Sequence, residues 1–425
     1  MIILLRYLGF TLLALLIAGA LAITIVPRFL DRIYYQGPAS DHFDGERFFN
    51  PDGEDTVRPP TGGSRGGFFW RFLTGSDGRP EWPERVAVAH HPASPTTQAC
   101  RHLEREPGNV EAGIACDVIA GRSGLMYATW VGHATVLVQV YGLNILTDPI
   151  WSERASPFSF VGPKRVARPG IDFDDLPTID LVLLSHNHYD HMDLPTLRRL
   201  WERDQPLIVT SPGNATILRS EGIGAVAADW GQTVTMQRPG ALSVDPHPLR
   251  ELKVTVTRNH HWGSRWFADR NRALWSSFVV HLPGGNLFFA GDTGFGDGRW
   301  PAEASAYGPI RLALIPIGAF RFTPGQMGTG SHIGPVGAAE VHRRLGASTS
   351  LPIHWGTFRL SYEAYDTAPR LLAEVMRCTG QTGFAPVAIG RPVEVPAYRP
   401  PQPSRKITGE QLETCLDTPA VRALR

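Results

Sequence analysis

Residues 180–193 read DLVLLSHNHYDHMD: a short apolar strand that runs straight into three histidines and two aspartates. A run such as Leu181–Leu184 is stable only where both faces are covered, which places it inside a sheet flanked by other layers. Its carboxyl end must then deliver the polar cluster to one rim of that sheet. In extended backbone, residues i and i+2 point the same way. His186 and His188 can therefore present nitrogens to one ion. Asp190 and His191, after the chain turns, can face a second ion beside it. Neutral imidazole and carboxylate suit zinc and similar borderline divalent metals.

One loop cannot complete two metal sites, so further ligands must come from elsewhere. Three later segments qualify, each ending a β-like run. NHHWG offers His260 and His261, AGDTG offers Asp292, and PIHWGTF offers His354. Any of these alone is an ordinary strand-end polar residue. Together they converge on one rim if the strands lie side by side.

The surrounding periodicity supports that arrangement. YATWVGHATVLVQVYGLNILTDP alternates apolar and small residues between glycine turns, as successive strands do. LPTLRRLWERD reads as an amphipathic helix, PLIVTS as a strand and GNATILRSEG as a helix. A mainly β block follows over 225–292, with a hairpin around Pro283-Gly284-Gly285. RLALIPIGAF and SLPIHWGTF read as strands. GPVGAAEVHRRLGAS reads as a helix opened by Pro335, and AYDTAPRLLAEVMRCTG as one stopped by Gly380. Two β-rich blocks, each interleaved with helices, predict two sheets face to face with helices outside. The expected organisation is an N-terminal segment over 1–32, a linker and arm over 33–120, a main domain that carries the histidine cluster over 121–398 and a tail over 399–425, its Pro-rich part extended.

Tyr7–Val26 carries no charge and has about the length that spans a bilayer, so the sequence predicts a retained membrane helix, with a cleaved signal segment as its rival. The aromatics Phe68, Phe69 and Trp70 in GGFFWRFLTG read either as packing of the arm or as a lipid entrance contacting substrate. The four cysteines form no CxxC pair. They are either buried thiols or two local bridges, Cys100–Cys116 and Cys378–Cys415, which would need an oxidising compartment. With the anchor, this places the domain on the extracytoplasmic side of a bacterial inner membrane. The net charge of +1 excludes binding driven by neutralising nucleic-acid phosphates. Oligomeric state is not legible.

The stretches TWVGHATVLVQ, LTDPIWSERASPFSFVGPKR, SHNHYDHMD, NHHWGSR, LFFAGDTGF, LALIPIGAF and IHWGTF resemble the metallo-β-lactamase superfamily. Within it they are most similar to the phospholipases D that hydrolyse N-acylphosphatidylethanolamine and their bacterial relatives. The resemblance covers roughly residues 120–390 and implies an α/β fold, a four-layer αββα sandwich with metals at the sheet edges. It assigns one metal to His186, His188 and His261, the other to Asp190, His191 and His354, and makes Asp292 the bridge. Two zinc ions are implied, with iron or manganese as alternatives. Asp148 and His133 would support the ligands, and His332 would stand near the substrate phosphate. There the family reads approximately Gln-His-Val-Asp-Pro, whereas this chain has Ser331-His332-Ile333-Gly334-Pro335, without the neighbouring carboxylate. The implied reaction is hydrolysis of a phospholipid at a membrane, yielding phosphatidic acid and N-acylethanolamine, through a hydroxide shared by the two metals, with His332, Asp190 and Asp292 as the catalytic groups. The alternatives are a lactone or carboxylic ester hydrolase and a non-catalytic metal-binding membrane protein.

Overall fold

The computed structural model describes residues 2–29, 33–53, 78–88, 124–237, 249, 251–266, 268–322, 330–402, 404–405 and 407–424. Helix α1 (Ile2–Phe29) opens the chain. Strands β1 (Met126–Gly132), β2 (Thr135–Val140), β3 (Leu143–Thr147), β4 (Leu181–Leu183), β5 (Leu207–Thr210) and β6 (Val226–Ala227) follow, with helices α2 (Leu194–Asp204) and α3 (Asn214–Ser220) between them. The second half carries β7 (Thr233–Gln237), β8 (Glu251–Thr257), β9 (Ser277–His281), β10 (Asn286–Phe289), α4 (Trp300–Ser305), β11 (Ile310–Pro316), α5 (Pro335–Leu345), β12 (Thr349–Ile353) and α6 (Thr367–Thr379). The chain ends with β13 (Pro392–Val395), α7 (Gly409–Leu416) and α8 (Pro419–Arg422).

Two sheets result, ordered β13-β1-β2-β3-β4-β5-β6 and β12-β11-β10-β9-β8-β7. In each, one half is antiparallel and the other parallel. The parallel pairs β3-β4-β5-β6 and β10-β11-β12 are the ones separated in sequence by helical crossovers. Inner faces meet in one core: Val136, Val138, Leu181 and Val209 of the first sheet pack with Val254, Phe278, Phe289 and Leu312 of the second. On the outside, Leu197 and Leu200 of α2 and Leu218 of α3 cover the first sheet. Val341 and Leu345 of α5 and Leu371 and Val375 of α6 cover the second. β11 is buried at all seven positions because it is covered on both faces, whereas edge strand β7 alternates. This is the α/β/β/α layering that the sequence predicts. It sends the carboxyl ends of β3, β4, β8, β10 and β12 towards one rim.

Two expectations need correction. Among the described residues, no helix is long and apolar enough to cross a membrane. The predicted transmembrane anchor, and the inner-membrane placement built on it, are overturned by that finding. Nor are residues 33–53 a loose linker: they pack on the domain. Phe43 and Phe48 are buried against Leu274 and Trp275. His42 stacks on Trp230 at 4.5 Å and reaches Asp229 with Nε2 at 2.8 Å.

Cys378 and Cys415 are bonded, tying α7 to α6. Cys100 and Cys116 lie outside the described residues.

Candidate metal centre

His186 and His188 follow β4, Asp148 follows β3, His261 lies beyond β8, Asp292 follows β10 and His354 follows β12. His133 occupies the β1–β2 turn and His332 precedes α5. The rim brings all eight together, and every one but His188 and His332 is buried. Three take left-handed backbone: His133 (φ 55°), His354 (φ 63°) and Asp148 (φ 30°). Such conformations cost roughly 1–3 kcal/mol each and persist where the surroundings impose them. Here the tie is a hydrogen bond across the two sheets, the His354 N–H donating to the His133 carbonyl at 3.0 Å. Gly318 makes room for that turn, since a Cβ at this position would lie 2.1 Å from the His354 carbonyl oxygen.

One group is His186, His188 and His261. His186 Nε2 and His188 Nδ1 are 2.8 Å apart, and His261 Nε2 is 3.4 Å from the same Nδ1. The far nitrogens fix the tautomers. His261 Nδ1 is 2.9 Å from the Ser331 carbonyl, which only accepts, so Nδ1 carries the hydrogen and Nε2 the lone pair. Ser185 Oγ donates to Asp148 Oδ2, so it accepts from His186 Nδ1 at 2.9 Å and again leaves Nε2 bare. A second group is Asp190, His191 and His354 with His133. His191 Nδ1 donates to Asp148 Oδ2 at 2.6 Å, turning Nε2 inward. His133 Nε2 is 2.9 Å from Asp190 Oδ2, the same oxygen that faces His191 and His354. Asp292 Oδ2 lies 3.1 Å from His191 Nε2, 3.0 Å from His354 Nε2 and 4.0 Å from His261 Nε2, so it stands between the groups. His332 Nδ1 is 3.9 Å from that oxygen.

Burial holds His186 and His261 well below the ordinary imidazole range, and takes His188 and His133 down to about 3. All are neutral at pH 7, the form that donates a lone pair. Burial would raise Asp190 and Asp292, but the facing imidazoles hold both well below the carboxylate range. Conversely, burial opposes protonation of His191 and His354, and the carboxylates outweigh it. His191 is raised well above its ordinary value and His354 to about 9.

The donor set fits divalent metal. His191 Nε2 and His354 Nε2 are buried and make no well-aligned hydrogen bond, although Asp292 Oδ2 stands 3.1 and 3.0 Å away. An unsatisfied buried polar atom costs about 1–3 kcal/mol, which a cation among them would remove. His260, offered by the sequence beside His261, joins none of these groups: its Nδ1 is held by both carboxylate oxygens of Asp52 at 3.0 Å. Phe68, Phe69 and Trp70 lie outside the described residues. Sequence reasoning missed Asn50, whose amide accepts from His261 N at 3.3 Å and donates to His261 O at 2.8 Å. Nothing in a glycine- and proline-rich arm marks it as a partner of a residue 211 positions away.

The chain is similar to known proteins. The family profile described as "Beta-lactamase superfamily domain" matches residues 143–355. The N-acyl-phosphatidylethanolamine-hydrolyzing phospholipase D 1 of Caenorhabditis elegans is 38% identical over 258 residues, covering 60% of this chain and 71% of its own. An uncharacterized protein of Mycobacterium bovis is 32% identical over 280 residues, 64% of this chain and 70% of its own. The mitochondrial N-acyl-phosphatidylethanolamine-hydrolyzing phospholipase D of Saccharomyces cerevisiae is 31% identical over 243 residues, 56% of this chain and 49% of its own. The protein belongs to the metallo-β-lactamase superfamily and is a metal-dependent hydrolase.

Proposed function

We propose that the protein is a binuclear phosphodiesterase of the phospholipase D type, hydrolysing N-acylphosphatidylethanolamine-like phospholipids to phosphatidic acid and an N-acylethanolamine. The observation that carries this reading is the position of Asp292, one carboxylate oxygen of which faces the nitrogens of both histidine groups. His186, His188 and His261 would hold one ion, and Asp190, His191 and His354 the other, with Asp292 shared. Two divalent ions, zinc foremost, would supply a lowered water pKa and neutralise charge growing on the phosphoryl oxygens.

The chain's own groups set the geometry. Asp148 fixes His191 directly and His186 through Ser185, so both rings keep Nε2 turned inward. His133 steadies Asp190. His332 is lowered to about 4, chiefly by burial, so at neutral pH it offers an N–H to a phosphoryl or departing oxygen without adding charge. The substrate for which the Caenorhabditis elegans and Saccharomyces cerevisiae relatives are named supports the phospholipid.

A lactone or carboxylic ester hydrolase remains a second reading. Gly334 caps α5 with no side chain where the resembled family places a carboxylate beside the histidine, so substrate contacts at His332 differ.

The test is product analysis by mass spectrometry. Zinc-loaded protein and an Asp292→Ala variant are incubated with N-acylphosphatidylethanolamine in mixed micelles, and with a lactone panel. Phosphatidic acid and N-acylethanolamine from the wild type alone are expected. Lactone opening without lipid products, at full metal occupancy, would overturn the substrate assignment.

A further inference from the structure

The rim loop after β3 also builds a second cavity, of about 620 Å³, that none of the histidines or aspartates of the metal centre lines. One wall is Arg79 and residues 82–85 and the other residues 154 and 160–166, with Arg359 between them. The walls are tied together. Val86 pairs with Ala167 in a short parallel bridge, Arg79 donates to the Arg359 carbonyl at 3.1 Å, and Arg359 donates to the Pro80 carbonyl at 3.2 Å.

The lining is electrically lopsided. Arg79, Arg85, Arg154, Lys164, Arg165 and Arg359 line the cavity with a single carboxylate, Glu84. Arg154 spends its hydrogens on the Ser159 and Gly162 carbonyls at 3.1 and 2.6 Å. Those bonds hold the loop but neutralise no charge. Arg85 and Lys164 are exposed, and among the described residues no carboxylate pairs with either. Clustered cations in a partly enclosed cavity concentrate anions. Arginine forks match phosphate geometry in particular. The space far exceeds what one phosphate fills, and it falls in the size range of pockets for organic ligands. Trp82, Phe160 and Val161 supply an apolar side to it. Phe160 is 78% exposed and pairs with Phe158 at 5.5 Å, so the apolar side continues out of the cavity.

We infer that this cavity is a second anion-binding site, separate from the metal centre, for a phosphate monoester carried on an apolar chain. The cations take the phosphate and the aromatic side takes the chain. The inference does not depend on which ester the metal centre cleaves.

The test uses full-length, metal-loaded protein and calorimetric titration with three probes: dihexanoyl phosphatidic acid below its micelle concentration, inorganic phosphate, and dihexanoylglycerol. Each is titrated into the wild type, the Arg85→Glu/Lys164→Glu variant and the milder Arg85→Gln/Lys164→Gln variant. Both positions are exposed, so the fold is retained, and cleavage of a soluble chromogenic diester checks this. The phosphatidic acid is expected to bind with one more equivalent in the wild type than in the charge-reversed variant, with the glutamine variant weakened by about tenfold or more at that equivalent. If inorganic phosphate fills the same equivalent, the anion alone suffices. If only the lipid does, the chain is required as well. Both outcomes support the site. Equal stoichiometry and affinity in wild type and charge-reversed variant, or equal binding of the neutral diacylglycerol, overturns it.

Discussion

Replacing Asp148 with asparagine should disable both halves of the metal centre from a residue that belongs to neither ligand group. The carboxylate is fully buried and accepts from Ser185 N at 2.7 Å, Ser185 Oγ at 2.5 Å and His191 Nδ1 at 2.6 Å. An amide has one accepting oxygen. If that oxygen keeps the Ser185 N–H, the new NH₂ faces His191 Nδ1, which must then become an acceptor. The imidazole hydrogen moves to Nε2, the atom facing Asp292, and blocks it as a ligand. Lost orientation of a supporting group costs about 10–100-fold in metal affinity, or roughly 1.4–2.7 kcal/mol. Loss of the charge-assisted bond to His191 adds about 1.5–3 kcal/mol to the destabilisation. Because Ser185 also relays Asp148 to His186, the two equivalents of metal should weaken together. Zinc affinity measured by competition with a chromophoric chelator, alongside melting temperature, reads both effects. An Asp148→Asn protein with wild-type zinc affinity in both equivalents would refute the tautomer argument.

Three further outcomes follow from the geometry. Gly318→Ala forces a methyl against the His354 carbonyl and should cost about 1–3 kcal/mol by denaturant titration, with weaker binding of one metal equivalent. Replacing Cys378 and Cys415 with serine opens a loop with a sequence separation of 37 and should lower stability by about 3–4 kcal/mol in the chain-entropy account, seen as a lowered denaturation midpoint. At His42 burial opposes protonation, but the bonds to Asp229 and Asp41 win and raise it above 6.5. Its stabilisation is therefore full below about pH 6.5 and fades as pH rises through the folded value. The stability gap between wild type and His42→Gln should be widest in mild acid and shrink in base; a gap that widens with rising pH contradicts this assignment.

The histidine motif is legible because its spacing is local: an i, i+2 pair on a strand end aims two rings one way whatever surrounds it. His261, Asp292 and His354 are legible only jointly, as polar residues each ending a strand. The layered fold follows from the same run lengths, since β11 and β4 read as fully buried strands before any partner is known. What escaped is non-local. His133, which meets Asp190 across 57 residues, enters the reading only through the family resemblance. Asn50 and Asp52 take their meaning from a loop more than 200 residues later. The N-terminal helix misled for the opposite reason: a local uncharged run suggested a membrane span, and among the described residues no helix is long and apolar enough to make one.

The packed arm also bears on how the molecule assembles. Its bonds join His42 to Asp229, Asn50 to His261 and Asp52 to His260, at sequence separations of 187, 211 and 208. Closing loops of this size delays contacts until the intervening chain is in place. On the ribosome, residues 41–53 emerge early and must wait until more than half of the protein has been made before their partners exist. The loop bearing His261 is thus clamped only once chain made long after the arm has joined it.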